Sequence, residues 1–161
     1  MLNRCCFPLF LFLVLFLPVN ALAWKGKVVE IKNPRTFLVQ KNGTSRLVYL
    51  YGISVPEGNE LFAQKAREFV EARILDQVVQ VNRLGAGDKI KAMVYTQGED
   101  KSINRKLLEN GLAWVHQAYC EKARLCGRLT QIQGQAKQDK MNLWSKVPDN
   151  TPAWRWLKEQ K

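Results

Sequence analysis

The sequence predicts an α+β chain: a small five-stranded barrel of the OB type, with one helix between its third and fourth strands and two further helices C-terminal to the barrel. Three observations predict it. Five short segments show strand-like alternation or apolar runs, three before the first helical segment and two after it. The strand junctions carry turn chemistry, with Asn42-Gly43 and the glycine-rich "GAGD" between neighbouring strands. Two more helical segments then close the chain, so the order is β-β-β-α-β-β-α-α. An OB barrel with this topology commonly binds oligonucleotides or oligosaccharides across one face.

Each element has its own signal. "KGKVVEIKN" is the first strand, with Val28, Val29 and Ile31 as its apolar members. "TFLVQ" follows, and Asn42-Gly43 turns the chain into "RLVYLYGI" because both residues tolerate positive φ. Pro56-Glu57-Gly58-Asn59 announces the first helix. Asn59 is the expected cap, and Leu61, Phe62, Ala66, Phe69, Val70 and Ile74 recur on one face. "QVVQVNRL" and "KIKAMVYTQ" are the fourth and fifth strands. "KSINRKLLENGLAWV" is a second helix ended by Gly111, since glycine accepts the left-handed conformation at no steric cost. "GRLTQIQGQAKQDKMNLWS" is a polar third helix, with Leu129, Ile132, Ala136 and Leu143 on its apolar side and Gly134 a weak point. There is no internal repeat and no low-complexity tract.

The ends of the chain are of a different character. Residues 1–23 carry Arg4, an apolar run from Phe7 to Val19 and a closing Ala21-Leu22-Ala23, the pattern of a cleavable secretory signal. Pro8 and Pro18 interrupt the run, which falls short of the roughly 20 apolar residues of a spanning helix. Cleavage after Ala23 would leave one domain over residues 24–146 and a tail, 147–161, rich in proline and charge and containing Trp154 and Trp156. That tail would either anchor a partner or membrane surface or pack back on its own domain. The expected location is secreted or periplasmic, with no transmembrane segment once the signal is removed.

The formal charge of +11 falls to +10 without Arg4, a surplus that attracts polyanions without choosing among nucleic acid, anionic lipid and acidic polysaccharide. Removing the signal also leaves two cysteines, Cys120 and Cys126. Export and the five intervening residues predict a disulfide. A zinc site would need four ligands, and His116 is the one histidine, so no metal site is expected from these residues.

Three stretches carry a family resemblance. "RLVYLYGISVPE" resembles the R-L-x-G-I-D-x-P-E strand of staphylococcal-nuclease-like (thermonuclease) domains. "NRKLLENGLAWV" resembles the family's N-x-x-L helix and its G-L-A-x-V end, and "QGQAKQDKMNLWS" its closing helix and L-W-S. The resemblance covers nearly all of residues 24–146, and a cysteine pair after "GLAWV" and a tryptophan-containing tail also resemble exported bacterial members. It implies an OB barrel with appended helices and hydrolysis of nucleic-acid phosphodiesters. In the family, two aspartates hold a calcium ion, a glutamate handles the attacking water, and two arginines clamp the phosphate. Calcium requires hard oxygen ligands, and arginine's planar fork suits phosphate bidentately.

Carried over position by position, the site is largely substituted. The D-G-D-T turn is here Asn33-Pro34-Arg35-Thr36, so Arg35 replaces the first metal carboxylate. Ser54 replaces the second. Tyr49 replaces the first arginine, because Arg46, three residues earlier on the same strand, would point to the opposite face. The D-x-Y-G-R turn corresponds to "DKIK", one residue shorter and ending in Lys91. Glu57, at the base position, is intact. Glu57 and Lys91 are thus the residual catalytic positions, although a glutamate before a helix has a structural use in complementing the helix dipole, and that is its expected role.

These substitutions predict a catalytically impaired domain that lacks the calcium cofactor and binds single-stranded DNA, RNA or another polyanion. Lys32, Arg35, Lys41, Tyr49, Lys89 and Lys91 are the candidate contacts, with Tyr51 the alternative stacking platform. Two other readings stand beside it: a secreted endonuclease using a metal-independent route, with Arg35 and Lys91 stabilising phosphate charge and Glu57 as base, and an envelope protein-interaction scaffold.

Overall fold

A computed structural model describes residues 23–145 of the chain; the signal-like leader and the tail with Trp154 and Trp156 lie outside the described residues. The strands are β1 (Ala23–Asn33), β2 (Thr36–Lys41), β3 (Thr44–Leu50), β4 (Ile53–Ser54), β5 (Val78–Arg83), β6 (Ile90–Thr96) and β7 (Trp114–Val115). The helices are α1 (Ala63–Ile74), α2 (Ile103–Glu109) and α3 (Ala123–Gln138), with single 3-10 turns at Gln117–Tyr119 and Asn142–Trp144. No helix among the described residues is long and apolar enough to cross a membrane.

Five strands close a barrel in the order β1-β2-β3-β6-β5, and β5 returns to β1. These are the five strands expected from the sequence, with α1 between the third and fourth. All the ladders are antiparallel except β3 with β6, where Val48, Tyr49 and Leu50 run alongside Ile90, Lys91 and Ala92. Inward rows such as Val28, Val39, Val48, Leu50, Val79, Val81 and Val94 fill the barrel. Ile103, Leu107, Leu108 and Leu129 extend the same core under the helices.

Four local expectations are corrected. Asn59 does not cap α1: Glu60 accepts the Glu57 amide on its side chain, and Glu60 N–H and Ala63 N–H bond back to Glu57 and Glu60. Residues 57–62 are therefore spent in turns, and α1 starts only after Phe62, at φ 65°. Leu61 consequently lies outside the helix and is 44% exposed. Val29 is not a core member, because the β1–β2 register shifts between Val28 and Glu30 and leaves it 38% exposed. Finally, α3 begins at Ala123 rather than at the expected Gly127, runs through Gly134 unbroken, and hands Leu143 to the following 3-10 turn.

The break after β3 is the fold's main departure from a simple meander. Tyr51 and Gly52 take the chain off the barrel, and Ile53–Ser54 then pairs with Val115–Trp114 in a separate two-stranded sheet. Asn104 of α2 fixes this corner from beneath. It is buried, its Nδ2 donates to the Tyr51 and Ala92 carbonyls at 3.0 and 3.1 Å, and its Oδ1 accepts the Val94 amide at 3.2 Å. After α2 the chain ends in a Schellman arrangement: Gly111 N–H bonds Leu108 O and Leu112 N–H bonds Leu107 O, both at 2.9 Å. Gly111 sits at φ 58°, and a Cβ there would meet Met141 O at 2.2 Å.

Asn104→Ala should destabilise the protein strongly, since each buried group left without a partner costs about 1–3 kcal/mol. Thermal denaturation is the check, and a melting temperature unchanged from the parent would show that α2 is not needed to hold the barrel's exit.

Candidate nucleic-acid interface

The candidate site grows from the turn between β1 and β2. Asn33 accepts the Arg35 amide on its side chain at 3.0 Å, an Asx turn that directs the chain into β2. The Arg35 carbonyl accepts the Leu50 amide at 2.9 Å, which fastens the turn to the end of β3. Arg35 is thereby brought beside Tyr49, its guanidinium carbon 5.9 Å from that ring. The same guanidinium lies 4.5 Å from the ring of Tyr119, which stacks in turn on His116 at 4.0 Å.

Glu57 lies in the exposed loop before α1, close enough to Arg35 to feel its charge, rather than at a helix end. The first turn of α1 holds no acidic residue, so the dipole role expected for Glu57 is not realised. Although Glu57 is exposed by surface area, neighbouring atoms partly desolvate its carboxyl and raise its pKa above the ordinary 4.5; the positive charge of Arg35 acts in the opposite direction and Glu60 adds a smaller upward push. Ser54, on the short strand before it, is half-buried opposite Trp114.

The fit of this pocket to calcium follows from those contacts. A Ca²⁺ ion takes six to eight oxygen ligands. Here one family carboxylate is a guanidinium packed on an aromatic ring, and the other is a serine. These residues do not fit the ion, and no step through it is derived.

The other candidates separate into three groups. Tyr49 and Lys89 join Arg35, with the Lys89 ammonium 5.9 Å from the Tyr49 ring. Lys91 lies level with Tyr49 across the β3–β6 ladder but reaches Glu121 at 3.0 Å, an exposed ion pair of the kind worth at most about 1 kcal/mol. Lys41 is at the other end of β2, over Trp24, while Lys32 is paired with Glu30 at 2.5 Å. Tyr51 is not a platform. It is 2% exposed, and its hydroxyl oxygen accepts the Glu121 and Lys122 amides at 2.7 Å each.

Sequence reasoning missed Tyr119, which lies in no strand and was hidden beside the cysteines. The expected disulfide is present, joining Cys120 to Cys126 with Cα atoms 5.7 Å apart. It closes the loop directly after Tyr119, and the Tyr119 carbonyl accepts the Gly52 amide at 3.0 Å. Arg46 is where strand alternation put it. The β2–β3 register is unbroken from Thr36 opposite Tyr49 to Lys41 opposite Thr44, so no bulge turns Arg46 to the Tyr49 face.

Comparison with known proteins agrees with the fold. The model of the family described as "Staphylococcal nuclease homologue" matches residues 46–146. The chain is similar to a micrococcal nuclease of Shigella flexneri, 27% identical over 155 residues that span 89% of this chain and 87% of that protein. It is similar to the protein ParB of Escherichia coli, 23% identical over 155 residues, 89% of this chain and 86% of that one. A third relative, the staphylococcal-like nuclease CAN1 of Arabidopsis thaliana, is 28% identical over 121 residues, 71% of this chain but 34% of its own length.

The raised Glu57 pKa has a signed consequence. The folded state holds this proton more tightly than the unfolded state, so the contribution to stability is complete below about pH 4.5 and is lost as pH rises through the folded-state pKa. Glu57→Gln should therefore gain stability relative to the parent on going from acid to neutral pH. Denaturant titrations of both proteins across that range are the check, and a stability difference independent of pH would contradict the assignment.

Proposed function

The chain belongs to the staphylococcal nuclease homologue family, and on that premise we propose that it is an exported protein that binds single-stranded nucleic acid and has lost the family's calcium-dependent cleavage. One observation carries the reading: the position of a metal carboxylate holds Arg35, whose guanidinium packs on Tyr119 and whose charge acts on Glu57. A guanidinium supplies positive charge and a planar fork of donors for phosphate oxygens. It supplies no coordination shell in which a water could be activated.

Other features favour a strand as ligand. Tyr49 offers a ring beside the cation, and base–aromatic stacking contributes about 1–3 kcal/mol per base without demanding a particular sequence. Lys91 can leave its exposed partner Glu121 for a phosphate at little cost. The formal charge of +11 draws polyanions from a distance. The leader-like residues 1–23 and the disulfide favour an oxidising compartment, periplasmic or external.

A second reading is favoured by Glu57 itself. Its raised pKa and the adjoining Arg35 are what a metal-free hydrolysis would use, with Glu57 taking the proton of the attacking water and Arg35 and Lys91 opposing charge on phosphorus.

The two readings separate in one set of assays. Single-stranded and duplex DNA are incubated with the purified protein in calcium, in other divalent cations and in EDTA, beside Glu57→Gln. No cleavage beyond that of the variant is expected. Cleavage that depends on Glu57 would replace the binding reading with the second one. Binding to an unstructured oligonucleotide should weaken by roughly 50-fold between 50 and 200 mM salt if about four phosphates are neutralised. Affinity that does not change with salt would refute phosphate contact. Fractionation of the producing cells should place the protein outside the cytoplasm, with Trp24 at its N-terminus.

A further inference from the structure

Beside Tyr49 the rim of the barrel opens into a groove of 530 Å³ lined by Arg46, Leu47, Tyr49, Arg83, Lys89 and the single acid Asp88, with backbone from the β5–β6 turn. We propose that a single strand bound at Arg35 and Tyr49 continues through this groove, its phosphates held by Lys89, Arg46 and Arg83, and reaches Trp24 as a second stacking platform. The proposal rests on the reading of the Arg35 pocket as a single-strand site and extends it.

Strand geometry explains why the cations collect here. Arg46 has the same parity in β3 as the buried Val48 and Leu50, and Arg83 the same parity in β5 as Val79 and Val81. Both belong to inward rows that run out of barrel to fill. At such positions an apolar side chain would extend the core, whereas two arginines leave the barrel end charged. Tyr49 and Leu47 come from the outward row of β3, so at the rim both faces of one strand serve one groove.

Arg83 carries a second and independent sign. One of its terminal nitrogens donates to the Gly87 carbonyl, yet its Nε is buried without a hydrogen-bond partner. The guanidinium as a whole is only half-buried, but a buried donor nitrogen without a partner is unfavourable by itself, because it has left water for nothing. A phosphate in the groove would place negative charge against Arg83 and offset that penalty.

The arrangement favours a polymer with bases over a free anion. Cations and rings alternate along it: Arg35 and Lys89 each lie 5.9 Å from Tyr49, and Arg46 and Lys41 lie 5.9 and 5.8 Å from Trp24. Tyr49 and Arg46 are three residues apart on β3, about 10 Å at roughly 3.3 Å per residue. One phosphate does not span that distance, whereas successive phosphates of a strand do. Ring faces at both ends require unstacked bases, which excludes a duplex.

The test compares two lengths of ligand on the intact protein, by fluorescence anisotropy at fixed salt. Arg46→Glu is the principal variant, since Arg46 is exposed and its change should leave the fold intact, as circular dichroism would verify. Twelve-nucleotide oligothymidylate should bind the variant at least tenfold more weakly, with the salt slope reduced by about one, while competition by the dinucleotide is unchanged. Arg35→Ala should weaken both lengths. If Arg46→Glu leaves the twelve-mer unaffected while Arg35→Ala weakens it, the extended path is overturned and the Arg35 site stands. If the parent binds neither length, the single-strand reading falls and the path with it. An abasic twelve-mer or a sulfated polysaccharide that matches the oligothymidylate would also overturn the proposal, because its rings would then contribute nothing. Trp24→Leu should weaken the twelve-mer toward its abasic counterpart.

Discussion

Everything near the site hangs on the corner at Tyr51 and Gly52. The Tyr51 amide bonds Ala92 O across the barrel, its carbonyl accepts from Asn104, and its hydroxyl oxygen accepts two amides of the disulfide loop. Gly52 donates to Tyr119 O and accepts from His116 N–H. Two consecutive residues thus join the barrel, α2, the β4–β7 pair and the segment that carries Tyr119. Gly52 must be glycine for two reasons, a φ of 75° and a Cβ position only 2.9 Å from Cys120 Sγ. The cysteine bridge comes this near to the strand only because no side chain intervenes.

From that corner the electrostatics of the pocket follow. The Asx turn sets Arg35 at the end of β3, and the disulfide loop sets Tyr119 opposite it, so the guanidinium lies between two rigidly held rings. A cation attached to the backbone differs from a bound metal ion: it is always present, weakly hydrated and planar. It favours holding a phosphate over polarising a water. Glu57 keeps its place in the loop because its backbone turn with Glu60 is closed locally, whatever the chemistry of its carboxylate.

The charge of the protein is distributed in a way that its total does not reveal. Lys32, Lys27 and Arg67 are each paired with a nearby carboxylate. Arg46 and Lys41 share Trp24, and Arg35 and Lys89 share Tyr49. Exposed ion pairs add little to stability.

The sequence by itself determined the barrel and the order of strands and helices along the chain. Phe37 and Val39, Val48 and Leu50, and Val79 and Val81 recur two residues apart on their strands, Asn42-Gly43 permits one tight hairpin, and Gly111 ends a helix; these are local signals, and local chemistry sufficed to read them. The disulfide was legible for the same reason, six residues being a short loop to close. The start of α1 was not legible, because Asn59 had to compete with a Glu57–Glu60 turn of similar local strength. Tertiary structure alone decided that Tyr51 is an internal acceptor and Tyr119 a half-buried partner of Arg35, since both depend on contacts between residues far apart in the chain. It also decided that Arg46, Arg83 and Lys89 meet. Barrel closure brings the start of β3 beside the β5–β6 turn, and the spacing of residues along a chain carries no record of which strand ends will adjoin.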